Sequence, residues 1–442
     1  MQETTSSDVM VSPLWGNAFS ELSGNSKVIA MILSFLDDER VDENLLEFPA
    51  YNAQAALLQG DFIERLSENG IISMRRHVQN AVIHQMSTEE RQEAFSHAVA
   101  ILAANFPDTH SADVGHQAAS WAHCERSIPH VAAMLKKSEE FQIFENVYQP
   151  FAELLLRCSW CLYERENYSI ALSYIDGALK RFSSKDTLAY ASAIDLRGLI
   201  HLDICHFTAA LEDFGEAFKI RTKILADGHS LLAASQVNIG LALTELGELG
   251  KAQDYLHNMA SLLLRMGRVD QAEAMLKSCP SLKDFSDETF LRTENPRFSG
   301  DMVLLSKIRF AQGLLDEALR LASKALSFRI MMLDERVKVC DSLYQVASLH
   351  CKAENMGLAC QLLENCIRIS ESLLIVEGIG HLVRATNKLS QILGDLGISG
   401  ESKKLLDWAV SLKRDIKSLD PDFVLVNGMK PDFEEPVPWM LW

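Results

Sequence analysis

The sequence predicts an all-α protein: a solenoid of helical hairpins that follows a small helical head. Three observations predict this fold. A phrase of small and apolar residues returns along residues 149–420, the apolar residues of each copy lie three or four positions apart, and glycine recurs between helices. Since a lone helical hairpin can bury its apolar face only against a neighbouring copy, this pattern is typical of a stacked repeat array, which serves as a binding scaffold.

Each copy centres on a small residue, which we call the anchor. The seven anchors are Ala171, Ala210, Ala252, Ala272, Ala318, Ala359 and Ser402. Apolar residues flank the anchors at helical spacing, which places one face of each segment against a neighbouring helix. Four glycines stand where a first helix has to stop and reverse, and these are Gly247, Gly267, Gly313 and Gly397.

The array is irregular at one point. Successive anchors are 39, 42, 20, 46, 41 and 43 residues apart, so the interval between Ala252 and Ala272 is about half the length of the others. The stretch Lys251–Met266 contains no helix breaker, which predicts one continuous helix there and a distorted groove between the two anchors. A true architectural splice and an artefact of the gene model both remain open as its origin.

The residues around the anchors resemble a known family. A small residue after an aromatic or apolar one, with an Ala-Leu that closes the second helix, resembles the tetratricopeptide repeat, and intervals near 42 residues resemble the longer repeats of kinesin light chains. The resemblance implies a tetratricopeptide-type α-solenoid that binds a protein or peptide on a concave face lined by first helices. The groove residues that it implies are Asn238, Asn258, Gln345 and Lys388. Ordinary solvated polar side chains are the alternative at these positions.

Residues 1–110 precede the repeats and predict a winged-helix-like head. The stretch Asp61–Ser73 predicts a helix, an Asn-Gly turn and a short strand. Ser87 and Glu90 predict a capping box at the start of a longer helix, which Pro107 ends. A plain helical cap for the solenoid is the alternative.

The head and the segment after it also resemble one class of receptor. The phrase WGNAFSELSGNSKVIAMILSFLDDERVDENLLE, and RSIPHVAAML in a predicted helical linker over residues 111–148, resemble the part of fungal STAND-type receptors that follows the nucleotide-binding NB-ARC domain. The resemblance implies a receptor-derived remnant that lacks this domain. The phrase that begins at Met74 departs from the family pattern, because Arg75 stands where the family has His.

No cofactor is expected. A phosphate-binding loop needs a Gly-rich turn after a strand, followed by Lys and a hydroxyl residue. The nearest phrase runs from Gly247 to Lys251 in a repeat turn, and Ala252 after it has no hydroxyl group. We therefore expect no nucleotide to bind at this turn.

Two other groups contain residue types that can act as a redox pair or as metal ligands. Cys158 and Cys161 lie on a predicted helix, where buried thiols are expected and a redox pair is the alternative. Histidines and a cysteine cluster over residues 116–130, but their spacing matches no common zinc-ligand set. No Ser, His and Asp grouping lies in a strand-to-helix turn, so the sequence predicts no catalytic residue, no metal site and no enzyme.

Composition narrows the partners and the compartment. A formal net charge of −18 argues against nucleic acid, because phosphate binding needs clustered Lys and Arg. The first ten residues have neither the basic flank nor the apolar core of a secretory signal, and no apolar run is long enough to insert into a membrane. Nine scattered cysteines predict a reducing compartment, and therefore a cytoplasmic protein.

The last segment, residues 421–442, changes in composition. Four prolines exclude a continuing helix, and acidic residues keep most of the segment solvated. Trp439 and Trp442 are too apolar for full exposure, so we expect them to dock on the last repeats or on a partner. An unstructured end is the alternative.

Together these features predict a non-enzymatic scaffold or adaptor that binds a protein or peptide on its concave helical face, as a remnant of a fungal STAND-type receptor. An accessory protein of unassigned role, encoded with a fungal secondary-metabolite pathway, is the alternative that the same resemblance implies. A small-molecule substrate is not expected. The partner, the pathway and the oligomeric state stay open.

Overall fold

The computed structural model describes residues 18–22, 24–46, 51–67, 70–107, 120–146, 148–226, 229–248, 251–252, 260–278, 286–425 and 433–438. The chain forms two compact units. Met1–Leu162 with Ser169–Lys185 make the head unit, and Tyr163–Tyr168 with Asp186–Trp442 make the solenoid unit. No helix within the described ranges is long and apolar enough to cross a membrane.

The head unit combines helices with a small antiparallel sheet. Its first elements are α1 (Gly24–Leu33), β1 (Val41–Asp42), a 3₁₀ turn (Glu43–Leu46), α2 (Tyr51–Gln59), β2 (Glu64–Ser67), β3 (Ile71–Ser73), α3 (Arg76–Gln85) and α4 (Thr88–Asn105). The strand order is β1-β3-β2, and Ile72 at the centre pairs with Val41 on one side and with Arg65 on the other.

The prediction of a helix early in Asp61–Ser73 is wrong, because Glu64–Ser67 is a strand that pairs with Ile71–Ser73. Four residues form too few helical hydrogen bonds to offset nucleation, whereas two short arms joined by a tight turn pair directly. Gly70 in the turn has a φ of 73°, which glycine adopts without strain.

The predicted capping box at the start of α4 is confirmed. Ser87 Oγ accepts a hydrogen bond from the Glu90 amide at 3.1 Å, and the Ser87 amide donates to Glu90 Oε2 at 2.9 Å. The helix ends at Asn105, two residues before Pro107. Reciprocal capping of two free amides fixes the start of α4.

A buried lysine ties the next helix, α5 (Trp121–Glu140), to the end of α1. Lys137 Nζ donates to the carbonyl oxygens of Ser34 at 2.7 Å and Leu36 at 3.2 Å, and to Gln79 Oε1 at 2.6 Å. Burial lowers the pKa of Lys137 to about 8. These contacts satisfy buried carbonyl oxygens of the turn that follows α1.

Helical hairpins follow these elements, the first mostly within the head unit and the others in the solenoid unit. The first hairpin is α6 (Gln149–Glu164) with α7 (Tyr168–Arg181), and the second is α8 (Leu188–Asp203) with α9 (Phe207–Ile224). The third begins with α10 (Ser230–Glu245), the fourth is α11 (Ala260–Arg265) with α12 (Val269–Ser278), and a short helix α13 (Asp287–Arg292) follows. The last three are α14 (Ser299–Ala311) with α15 (Leu315–Leu333), α16 (Val337–Lys352) with α17 (Met356–Ser372), and α18 (Ile375–Asp395) with α19 (Ser399–Leu419). This is an all-α solenoid, as the sequence predicts.

One backbone feature marks every hairpin turn. The residue five positions before each anchor has a positive φ, and these residues are Glu166 (58°), Cys205 (64°), Gly247 (81°), Gly267 (75°), Gly313 (81°), Glu354 (60°) and Gly397 (79°). The four predicted turn glycines are therefore confirmed. The six alanine anchors are fully buried, because a methyl group lets two helices approach closely.

The short interval falls at the fourth hairpin, in which the described parts of α11 and α12 have 6 and 10 residues. Residues 253–259 lie outside the described residues. The continuous helix over Lys251–Met266 therefore stays a prediction.

Candidate functional site

First helices of four successive hairpins line one cavity of about 460 Å³ in the solenoid unit. Leu264 comes from α11, Lys307 and Phe310 from α14, Gln345 from α16, and Lys388 from α18. We call this lined surface the groove. Its volume lies within the range of ligand sites in proteins.

A buried ion network forms one side of the groove. Asp341 Oδ1 lies 3.0 Å from an Arg384 guanidinium nitrogen, and Asp341 Oδ2 lies 3.4 Å from Arg329. Burial alone would raise the pKa of Asp341, but Arg384, Lys307 and Arg329 hold it below its ordinary value. The Arg384 guanidinium also lies 4.3 Å from the Tyr344 ring centre, so its position is fixed from two sides.

The described helical lining carries an excess of positive charge. Lys307, Lys352, Arg384 and Lys388 line the cavity, against Asp341 as the acid. Burial lowers the pKa of Lys307 to about 8, which leaves it mostly protonated at neutral pH. In a chain with a net charge of −18, this local excess is a departure from the average surface and favours an anionic ligand.

One amide in the groove has an unused acceptor. Gln345 Nε2 donates to Ser306 Oγ at 3.2 Å, whereas Gln345 Oε1 is buried and has no hydrogen-bond partner within the described residues. A buried acceptor left without a donor costs about 1–3 kcal/mol. A ligand N–H group placed in the cavity would remove that cost.

The chain beyond α19 returns to the solenoid. The Val424 amide donates to the Cys205 carbonyl oxygen at 2.9 Å, and Phe423 is buried among apolar residues of the second and last hairpins. Nε2 of His206 lies 2.7 Å from Asp420 Oδ2. These contacts lead the tail back to the second hairpin turn.

Further along, residues 433–438 border the groove, and Glu434, Val437 and Pro438 belong to its lining. Tyr344 Oη donates to Glu434 Oε1 at 2.9 Å, and Lys413 Nζ lies 2.9 Å from Glu435 Oε2. Burial and the Glu434 charge raise the pKa of Tyr344, which keeps the phenol protonated as the donor. Both acidic side chains of the segment therefore have a polar partner on the solenoid.

The next residues of the tail pack directly on α18. A side chain at Gly380, within this helix, would overlap the carbonyl oxygen of Pro436. Cys205 Sγ donates weakly to the same oxygen at 3.6 Å. Val437 is buried and, with Pro438, borders the cavity. Glycine at position 380 is thus required for the close approach of the tail.

The structure brings together two of the four groove residues that the sequence resemblance implies. Gln345 and Lys388 line the same cavity. Asn238 instead donates to Asp195 Oδ1 at 3.1 Å, outside the cavity lining. The other predicted site residues, Asn258, Trp439 and Trp442, lie outside the described residues, so their roles stay predictions.

Three residues at the base of the tail have the chemistry of a cation site. Ligand atoms of His206, Asp420 and Asp422 all lie within 4.8 Å of one another. The short contact between His206 and Asp420 already accounts for two of them as a hydrogen-bonded pair. We therefore interpret these three residues as a contact that holds the tail on the solenoid.

The CxxC pair of the head unit is not arranged for redox chemistry. Cys158 and Cys161 are both fully buried. Burial raises the pKa of Cys158 well above its ordinary value, whereas a reactive thiol needs a lowered one. The prediction of buried thiols is confirmed.

No protein-family model and no curated protein matches the chain. Among solved structures, a STAND protein with a tetratricopeptide repeat sensor from Pyrococcus horikoshii is 13% identical, covers 92% of this chain, and has a TM-score of 0.37. The chain spans 66% of that protein's own length. A kinesin light chain with nearly identical TPR-like repeats from Podosopora anserina is 17% identical over 52% of this chain and 98% of its own, with a TM-score of 0.27.

A Rap conjugation gene regulator of the plasmid pLS20, solved in complex with the Phr* peptide, is 14% identical. It covers 78% of this chain and 96% of its own, with a TM-score of 0.44. Identities and scores this low say nothing about what this chain binds.

Proposed function

We propose that the protein is a non-enzymatic scaffold that binds a peptide in the groove. The observation that carries this proposal is that a segment of the same chain packs along the groove: Glu434, Val437 and Pro438 border the cavity, and Tyr344 donates a hydrogen bond to Glu434. A surface that accommodates one proline-containing segment has the shape to accommodate another. Peptide recognition between stacked helices commonly uses such a surface.

The side chains of the groove suit a peptide better than a small apolar molecule. Gln345 offers an unused acceptor for a main-chain N–H group, and Lys352 and Lys388 offer positive charge for a carboxylate. Phe310 and Leu264 add apolar surface beside them. An apolar surface with a few polar groups fixes the orientation of a ligand and its specificity.

Selection from a displayed library of random twelve-residue peptides tests the proposal. The bait is the full chain with Phe433→Ser and Val437→Asn, because these changes remove the apolar contacts that hold the segment beside the groove and leave the solenoid residues unaltered. We expect acidic peptides to be enriched. Adding Lys352→Glu and Lys388→Glu should weaken the selected peptides by about tenfold or more, since both charges border the cavity.

The matched control reverses two exposed lysines of the second helix α19, with Lys403→Glu and Lys404→Glu. This control has the same change in net charge, so it should leave the affinity of the selected peptides within about twofold. Failure to enrich any peptide, or equal loss in both charge-reversed variants, would contradict a peptide site in the groove.

We also propose that the chain derives from a STAND-type receptor, with a winged-helix-like head over 1–110, a linker over 111–148, a tetratricopeptide solenoid over 149–420 and a tail over 421–442. The order helix, strand, helices, two-stranded hairpin, with β3 central in the sheet, supports the head assignment. Co-purification of a nucleotide-binding receptor from a cytoplasmic extract would support this origin. Recovery of biosynthetic enzymes alone would favour an accessory role.

A further inference from the structure

The segment beside the groove places two adjacent carboxylates against the solenoid. Glu435 is only 5% exposed, and Lys413 provides its ion pair, while Tyr344 provides a hydroxyl donor for Glu434. Buried charge is tolerated in proteins where such partners are present. The solenoid therefore contains a prepared site for an acidic pair.

The residue that follows the acidic pair needs a glycine opposite it. Gly380 lies inside α18, where alanine is normally the more favourable residue because glycine has greater freedom in the unfolded chain. A methyl group at this position would overlap the Pro436 carbonyl oxygen. The helix is therefore less stable than it would be with alanine at the point where the tail makes its closest contact.

Beside the acidic pair, the helical side of the groove carries positive charge. Val437 and Pro438 border the cavity, and Lys307, Lys352 and Lys388 line its helical side. The segment itself supplies Glu434 to this lining. An acidic ligand that enters the cavity would therefore meet these lysines and, on the other side, the carboxylate of Glu434.

We propose that residues 433–438 are a built-in competitor for the groove, and that the partner is an acidic, proline-containing peptide that displaces them. The inference rests on the proposed function and specifies its ligand and its regulation. Because the segment belongs to the same chain, it competes at a high effective concentration. The apparent affinity for a partner falls by the fraction of molecules whose groove is open.

The first test measures competition in the full-length protein. A fluorescein-labelled peptide of residues 430–438 is titrated by anisotropy against the wild type and against Phe433→Ser/Val437→Asn. We expect at least about tenfold tighter binding to the variant, since its own segment no longer covers that side of the groove. A peptide with glutamine in place of Glu434 and Glu435 should lose most of that affinity.

The second test releases the segment from the solenoid side. Gly380→Ala should speed hydrogen exchange of the amides of residues 433–435 and 437 several-fold, because the Pro436 carbonyl has to move away. Gly215→Ala is the matched control: it lies within α9, and no atom stands within 4 Å of the added carbon. It should leave exchange in 433–438 unchanged.

The two proposals fail in different ways. Equal affinity of the labelled peptide for wild type and variant, or unchanged exchange in Gly380→Ala, would overturn the competitor and leave a peptide scaffold standing. Enrichment of basic or neutral peptides in the display experiment would overturn the acidic ligand alone. Absence of any binding peptide for the released variant would overturn the proposed function itself.

Discussion

The seven hairpin turns share one backbone conformation but not one residue type. Four of them use glycine at the positive-φ position, and three use Glu166, Cys205 and Glu354. A residue with a Cβ atom in this region costs of the order of 1 kcal/mol relative to glycine. The three turn residues other than glycine differ in whether their own contacts offset that cost.

Two of the exceptions contact a distant part of the chain. Glu166 is fully buried, and its Oε2 accepts a hydrogen bond from the Lys338 amide at 2.9 Å, in the first turn of α16. Cys205 contacts Pro436 through its thiol and Val424 through its carbonyl oxygen. The Glu354 side chain, in contrast, is exposed.

At Glu166 and Cys205, contacts with a distant part of the fold accompany the strained backbone, whereas the Glu354 side chain is exposed. Arg336 precedes α16 but gives it no side-chain cap, so Glu166 takes over that role from the first hairpin turn. A carboxylate at a helix N-terminus also interacts favourably with the helix dipole. At Glu354 no comparable role accounts for the choice of residue.

The largest expected effect is that of Glu166→Ala. It removes the cap of α16 and the carboxylate 3.7 Å from Lys338 Nζ, so we expect a loss of about 2–3 kcal/mol in the free energy of unfolding. Urea denaturation followed by circular dichroism measures it. Glu354→Ala is the matched control at the same turn position and should change stability by less than about 0.5 kcal/mol. Equal losses in both variants would make the turn conformation, and not the remote contact, responsible.

A smaller effect of opposite sign is expected for Glu354→Gly. Glycine adopts a φ of 60° without strain, and the exposed glutamate side chain has little to lose, so stability should rise by about 0.5–1 kcal/mol. Glu364→Gly, the same change at an exposed site within α17, should lower stability by a similar amount. Destabilisation by Glu354→Gly would reveal a role for the glutamate that its exposure conceals.

The smallest effect concerns pH. Burial raises the pKa of Glu166 above its ordinary value of 4.5, and the nearby Lys338 only partly opposes this. The folded state then holds a proton that the unfolded state has lost, so stability contributed by Glu166 is present below pH 4.5 and falls as the pH rises through the folded pKa.

Glu166→Gln removes this titration and keeps an acceptor for the Lys338 amide. We therefore expect the stability of Glu166→Gln relative to wild type to increase between pH 4.5 and pH 7.5, in paired urea titrations. A difference that is independent of pH would mean that Glu166 titrates normally in the folded protein.

Much of the fold could be predicted from local pattern. Anchor spacing, turn glycines and the Ser87–Glu90 capping box are short-range signals, because helix pairs and caps form between residues near in sequence. The strand at Glu64–Ser67 was harder, since a four-residue arm carries too little periodicity to separate strand from helix. Glu166 and Cys205 gave no signal as turn residues, because neither residue type favours a positive φ.

Less of the candidate site was accessible from sequence. Gln345 and Lys388 follow from the position of each residue on its first helix, and both line the cavity. The seat of residues 433–438 does not follow from that pattern. Gly380 is a sign of this contact, because an isolated glycine in a helix indicates close approach of another group.

Apolar periodicity and turn residues within some 40 positions predict the helical hairpins and their turns from the sequence. The place of the acidic segment 433–438 beside the groove depends on a tertiary contact. That contact joins Pro436 to Cys205 and Gly380, and it depends on how successive hairpins stack. Small rotations between repeats add up along a solenoid, so no local pattern encodes which distant residues finally meet.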